Sequence, residues 1–143
     1  MLNKATGSFT VKLELQPASA LADAAVIGRR SLDKQFQGDL EAVSCGEMLS
    51  VMTAVEGSMA YVALEKVTGT LAGRQGSFVL QHASQMIRGK PFQSIRVVPD
   101  SGTDGLQGLD GEMQIDIRGG EHFYTMEYNF TEQLPGNEQE ADS

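Results

Sequence analysis

The segment Phe9-Thr10-Val11-Lys12-Leu13-Glu14-Leu15 alternates apolar and polar residues without a break. Only an extended strand sends successive side chains to opposite faces, so this pattern defines a strand with one buried and one wet side. Further extended segments are read at about 28–37, 40–54, 57–71, 76–88, 93–99, 111–118 and 121–131, mostly joined by short glycine-bearing turns. Residues 16–26 read as a loop or short helical turn, and no long amphipathic helix interrupts the series. Such even spacing of short strands predicts an all-β domain, a barrel or a sandwich, over residues 1–131. The remaining 132–143 reads as an acidic, flexible tail.

One device occurs twice. Leu71-Ala72-Gly73-Arg74-Gln75-Gly76-Ser77-Phe78-Val79-Leu80 and Leu106-Gln107-Gly108-Leu109-Asp110-Gly111-Glu112-Met113-Gln114-Ile115 share leucine, two glycines and an alternating strand at the same spacing. The glycines suit a tight or bulged turn, and the strand leaves from it. A phosphate loop would need a helix and a Lys-Ser/Thr pair after the glycines; here a strand follows and that pair is missing. The dinucleotide fingerprint fails for the same reason. The echo sets Phe78, Leu80 and His82 in phase with Met113, Ile115 and Ile117, which puts His82 on the apolar face.

A hairpin around Gly73 sharpens this. Any even-length turn puts odd residues of the first strand on the same face as even residues of the second. Tyr61, Ala63, Glu65 and Val67 then share a face with Phe78, Leu80, His82 and Met86. Glu65 lies directly opposite His82 for a turn at Gly73-Arg74, or diagonal to it for a four-residue turn. A carboxylate that orients an imidazole is acid–base machinery, so Glu65 and His82 are the candidate catalytic pair. The alternative is a buried pair in which each group satisfies the other. A two-residue turn at Gly119-Gly120 would pair Ile117 with His122 and Ile115 with Tyr124, setting His122 at a rim. The apolar face then continues through Tyr124, Met126, Tyr128 and Phe130. Tyr61, Phe78, Leu80, Met86, Tyr124 and Met126 are the candidate ligand-binding residues.

Other polar groups read as structural. A hairpin about Gly38-Asp39 places Lys34 and Glu41 on one face as a solvated pair. Cys45 is read as a small packing residue, and the internal methionines as gap fillers that would also suit an adaptable ligand lining. Asp100, Asp104 and Gly105 have calcium-loop spacing, but the twelfth position is Gly111 rather than glutamate, so an EF-hand is rejected. With one cysteine and two histidines, no disulfide framework and no metal site is expected. A net charge of −8 with scattered basic residues argues against nucleic acid and against an anionic membrane surface. No signal-peptide core follows Met1, so a cytoplasmic location is expected.

The segments "DKQFQGDLEAVSCGEML", "YVALEKVTGTLAGRQGSFVLQHASQM" and "VVPDSGTDGLQGLDG" resemble the signature stretches of a small bacterial family of unknown function. Its members are similar to the allene-oxide-cyclase and dirigent barrels. The resemblance spans roughly residues 4–130 and implies a single antiparallel eight-stranded β-barrel with an internal cavity, often assembled as a homo-oligomer, here a dimer. The cyclases act without a cofactor on an unstable fatty-acid epoxide. Their active-site motifs are not recognisable here beyond the glycine turn, so only the cavity transfers. The expected function is binding of an apolar or amphipathic small molecule in the lumen, with no cofactor. The alternatives are a cofactor-free isomerase or cyclase using Glu65 and His82, and a structural oligomerisation module.

Overall fold

The computed structural model describes residues 2–17, 19 and 26–131. Eight strands run in chain order around a closed antiparallel barrel: β1 (Asn3–Gln16), β2 (Gly28–Gly38), β3 (Leu40–Met52), β4 (Met59–Leu71), β5 (Arg74–Ile87), β6 (Lys90–Val97), β7 (Leu109–Arg118) and β8 (Glu121–Phe130). Closure comes from β1 pairing with β8, Ala5 opposite Met126 and Phe9 opposite His122. The acidic tail at 132–143 and most of the 16–26 connection lie outside the described residues. Among the described residues, no helix is long and apolar enough to cross a membrane.

Period two dictates the inner surface. Even residues of β2, β3, β5 and β8 and odd residues of β1, β4, β6 and β7 point inward, as the register requires. At one end they fill the barrel: Phe36, Leu40, Leu71, Phe78, Leu80, Met113, Tyr124 and Met126 form one packed core. The Tyr124 hydroxyl accepts from the Leu40 amide at 2.9 Å and faces the Gln37 carbonyl at 2.9 Å, which ties β8 to the β2–β3 turn. Gly7 leaves room for it, since a Cβ there would sit 2.5 Å from that hydroxyl and 2.0 Å from the Gln37 carbonyl oxygen.

The echoed device sits at this packed end in both copies. Leu71 and Leu106 are buried, and Gly73 and Gly108 both adopt left-handed φ, +86° and +80°. The segment between β6 and β7, which has calcium-loop spacing, closes the same end. Thr103 bonds Ser77 through both backbone and side chain, and a single 3₁₀ turn at Asp104–Leu106 inserts Leu106 into the core. At the other end the inward stripes run out into solvent: Leu13 is 46% exposed and Ile117 is 62% exposed.

Two expectations change. The β2–β3 connection is odd in length, pairing Phe36 with Ala42 and Lys34 with Ser44. Parity therefore flips relative to a Gly38-Asp39 two-residue turn: Lys34 turns inward, Glu41 outward, and the two do not pair. Cys45, expected to pack, is instead exposed on the outer face, between Asp33 and Lys66. Of the methionines, Met113 and Met126 do fill the core, while Met52 is exposed.

Candidate functional site

The β4–β5 turn falls at Ala72-Gly73, one residue earlier than a Gly73-Arg74 turn, because Leu71 pairs with Arg74. Its length is still even, so the face-sharing expected for Glu65 and His82 holds. The register sets Glu65 opposite Leu80 and His82 opposite Ala63, which makes the two diagonal neighbours. The Gly119-Gly120 turn pairs Ile117 with His122 and Ile115 with Tyr124, as read from the sequence.

Glu65, His82 and Lys34 meet at the waist of the barrel. All three are almost fully buried, with Glu65 1% exposed, His82 3% and Lys34 6%. The Lys34 ammonium lies 3.1 Å from Glu65 Oε2 and donates to Oε1 at 3.4 Å. His82 Nε2 is 3.6 Å from Glu65 Oε1, an electrostatic contact too long for a hydrogen bond. Burial by itself raises the Glu65 carboxyl pKa. The nearby His82 imidazole and Lys34 ammonium outweigh that effect and hold it below the ordinary carboxylate value. Gly46 stands opposite Glu65, and a Cβ there would lie 2.0 Å from the Leu64 carbonyl oxygen, so the glycine lets β3 and β4 close up beside the carboxylate. Among the described residues, His82 Nε2 and Ser44 Oγ are buried without a hydrogen-bond partner.

Above this waist the lumen opens into a cavity of about 180 Å³. Lys34 and His82 form its floor; Phe9, Tyr61 and Ile115 contribute to the walls, and His122 and Ile117 stand at the mouth. The Lys34 ammonium sits 4.9 Å from the centre of the Phe9 ring, and the His122 ring meets the same ring at a tilt of 42°, centres 5.1 Å apart. The Tyr61 and His82 rings are 6.4 Å apart, and Gln93 donates to the Tyr61 hydroxyl at 3.4 Å.

Of the ligand-binding candidates, Tyr61 lines this cavity. Phe78, Leu80, Tyr124 and Met126 belong to the packed core beneath it, and Met86 is half-buried on β5 beside Met59 and Pro91. Of the catalytic candidates, His82 reaches the cavity, while Glu65 lies behind the floor. Lys34 was not anticipated. The signal was there: Leu32 and Phe36 flank it at period two, so Lys34 occupies an apolar phase of β2.

A closed eight-stranded barrel, solid at one end and hollow at the other, with a buried charged cluster at its waist, defines this protein's class. The chain belongs to the family described as Protein of unknown function (DUF3224), which matches residues 5–128. It is similar to a crystal structure of a protein with unknown function from that family, from Shewanella oneidensis MR-1. The two share 51% identity over 93% of this chain and 100% of that one, with a TM-score of 0.88. None of the curated proteins matches the chain.

Proposed function

We propose that this barrel binds an apolar or amphipathic small molecule in the open half of its lumen, with the molecule's polar end on Lys34 and His82. The observation that carries this reading is the pairing of an open apolar cavity with a buried floor of ionisable side chains. Burying Lys34 and Glu65 costs several kcal/mol per ion, by an order-of-magnitude rule, and a solid apolar core would avoid that cost. Binding sites have this composition: mostly apolar walls with a few convergent polar groups. A cavity of about 180 Å³ is close to the roughly 150 Å³ void known to hold benzene, and too small for the long acyl chain that the cyclase resemblance suggests. Titrating the isotope-labelled protein with toluene should shift the amides of Tyr61, His82 and Ile115. Saturating toluene that leaves these signals unmoved would overturn the reading.

Acid–base chemistry on the bound molecule is the second reading, favoured by the 3.6 Å contact between His82 and Glu65. In it His82 is the group in touch with the ligand, and Glu65 is a positioning residue behind it. Self-association draws support from Leu49, Val62 and Leu64, exposed side by side on the outer faces of β3 and β4. A cytoplasmic location is in keeping with Cys45 as an exposed free thiol.

A further inference from the structure

We propose that the lumen ligand is a small organic anion of single-ring size, with its carboxylate seated between Lys34 and His82. This rests on the lumen reading above and adds the charge and size of the occupant. The chain carries 19 acidic residues against 11 basic ones, yet among the described residues no aspartate or glutamate lines the cavity. Its titratable lining consists of Lys34, His82, His122 and Tyr61, all of which can donate a hydrogen bond. Among the described residues the lining is one-sided.

Two donors on the floor are unspent. The Lys34 ammonium has three protons, and its contacts among the described residues are Glu65 and the faces of Phe9 and Phe36. His82 Nε2 is buried and makes no hydrogen bond among the described residues; its contact is the 3.6 Å approach to Glu65 Oε1. Both residues line the cavity, so a carboxylate entering from the mouth meets them there. Its ring then lies among Phe9, Tyr61 and Ile115, where a volume of about 180 Å³ suits one ring rather than a chain.

Charge balance links this binding to protons. Lys34 and Glu65 cancel each other, so an added carboxylate is compensated when His82 is protonated. The ionisable groups facing His82 are Lys34 from β2 and Glu65 and Tyr61 from β4. Its β6 neighbours, Ile95 and Gln93, are not ionisable, and His122 of β8 stands across the mouth. Anion uptake is therefore coupled to uptake of a proton and tightens as pH falls.

Calorimetric titration with benzoate, benzyl alcohol, decanoate and toluene at about pH 5.5 and about pH 7.5 tests this. The expected result is benzoate binding about tenfold tighter at the lower pH and tighter than the uncharged alcohol, with decanoate weaker than benzoate. His82→Gln should flatten the pH dependence. Should His82→Gln fail to fold, the wild-type pH series decides the point. Benzyl alcohol equal to benzoate, or benzoate affinity flat with pH, overturns the anion assignment. Decanoate binding more tightly than benzoate overturns the size. Toluene bound where benzoate is not overturns this inference and leaves the lumen reading standing, and no binding by any probe removes both.

Discussion

The two ends of this barrel are built from the same strands with the same alternation, yet one is solid and the other hollow. At the closed end, inward positions carry Phe36, Leu40, Leu71, Phe78 and Tyr124, and the β6–β7 segment adds Leu106 as a plug. At the open end the same stripes continue through Leu13, Tyr61, Ile115 and Ile117, with no segment folded across them among the described residues. Among the described residues, the difference lies in the Leu106 plug at the closed end. Stability should therefore reside at the closed end and ligand chemistry at the open one, with the Lys34–Glu65–His82 cluster at the boundary.

The largest expected effect tests that division directly. Phe78→Ala removes a ring that is 1% exposed from the packed end and should cost about 3–5 kcal/mol in chemical denaturation. Ile117→Ala, at the same phase of the other glycine device but 62% exposed at the mouth, should stay within about 0.5 kcal/mol. Similar losses for the two would mean the hollow end also carries the fold.

Next comes the boundary. Glu65→Gln leaves the Lys34 ammonium buried without a counter-charge and should cost about 3 kcal/mol near neutral pH. Because the folded-state pKa of Glu65 is depressed, its stabilisation is fully present above its ordinary value of 4.5 and is lost as pH falls through the lower folded value. The gap between wild type and variant should narrow on acidification below about pH 4.5. Urea melts at a series of pH values would show it. A gap independent of pH would mean that the carboxylate is not ionised in the folded barrel.

Much of this division cannot be read from residue order, for physical reasons. The strands and the β4–β5 parity follow from period two, and parity survived a turn one residue from its expected place because Ala72-Gly73 is also even. The β2–β3 turn shows the opposite case. One residue more or less reverses every side chain on a strand, so Lys34 moved from an outer pair with Glu41 to the inner cluster. The Leu32–Lys34–Phe36 phase carries that information, whereas Gly38-Asp39 has the residues of a two-residue turn and points to the opposite parity. Which end is hollow has no local signal at all. It depends on barrel closure and on where the 98–108 segment docks, and these are contacts between residues far apart in the chain. Phe78, Leu80, Tyr124 and Met126 satisfy the same pattern as Tyr61, and closure alone makes them core rather than cavity wall.

The smallest expected effect concerns the barrel's weakest join. β6 pairs with β5 over eight consecutive positions, from Leu80–Val97 to Ile87–Lys90, whereas its ladder to β7 is the single pair Arg96–Glu112. The side chains of that pair also meet, Arg96 Nη1 to Glu112 Oε1 at 2.7 Å, but both are more than half exposed. An ion pair in that setting contributes about 0.2–1 kcal/mol, so Arg96→Ala should barely move the denaturation midpoint. Its effect should instead be local. With the seam loosened toward the mouth, amide exchange in β6 and in β7 beyond Glu112 should speed up, while the amides of Leu40, Val79 and Val98 at the closed end stay protected. Hydrogen-exchange mass spectrometry on wild type and variant separates the two ends. Faster exchange at both ends, or a global loss above about 2 kcal/mol, would show that the seam holds the whole barrel and that solid and hollow halves do not open independently.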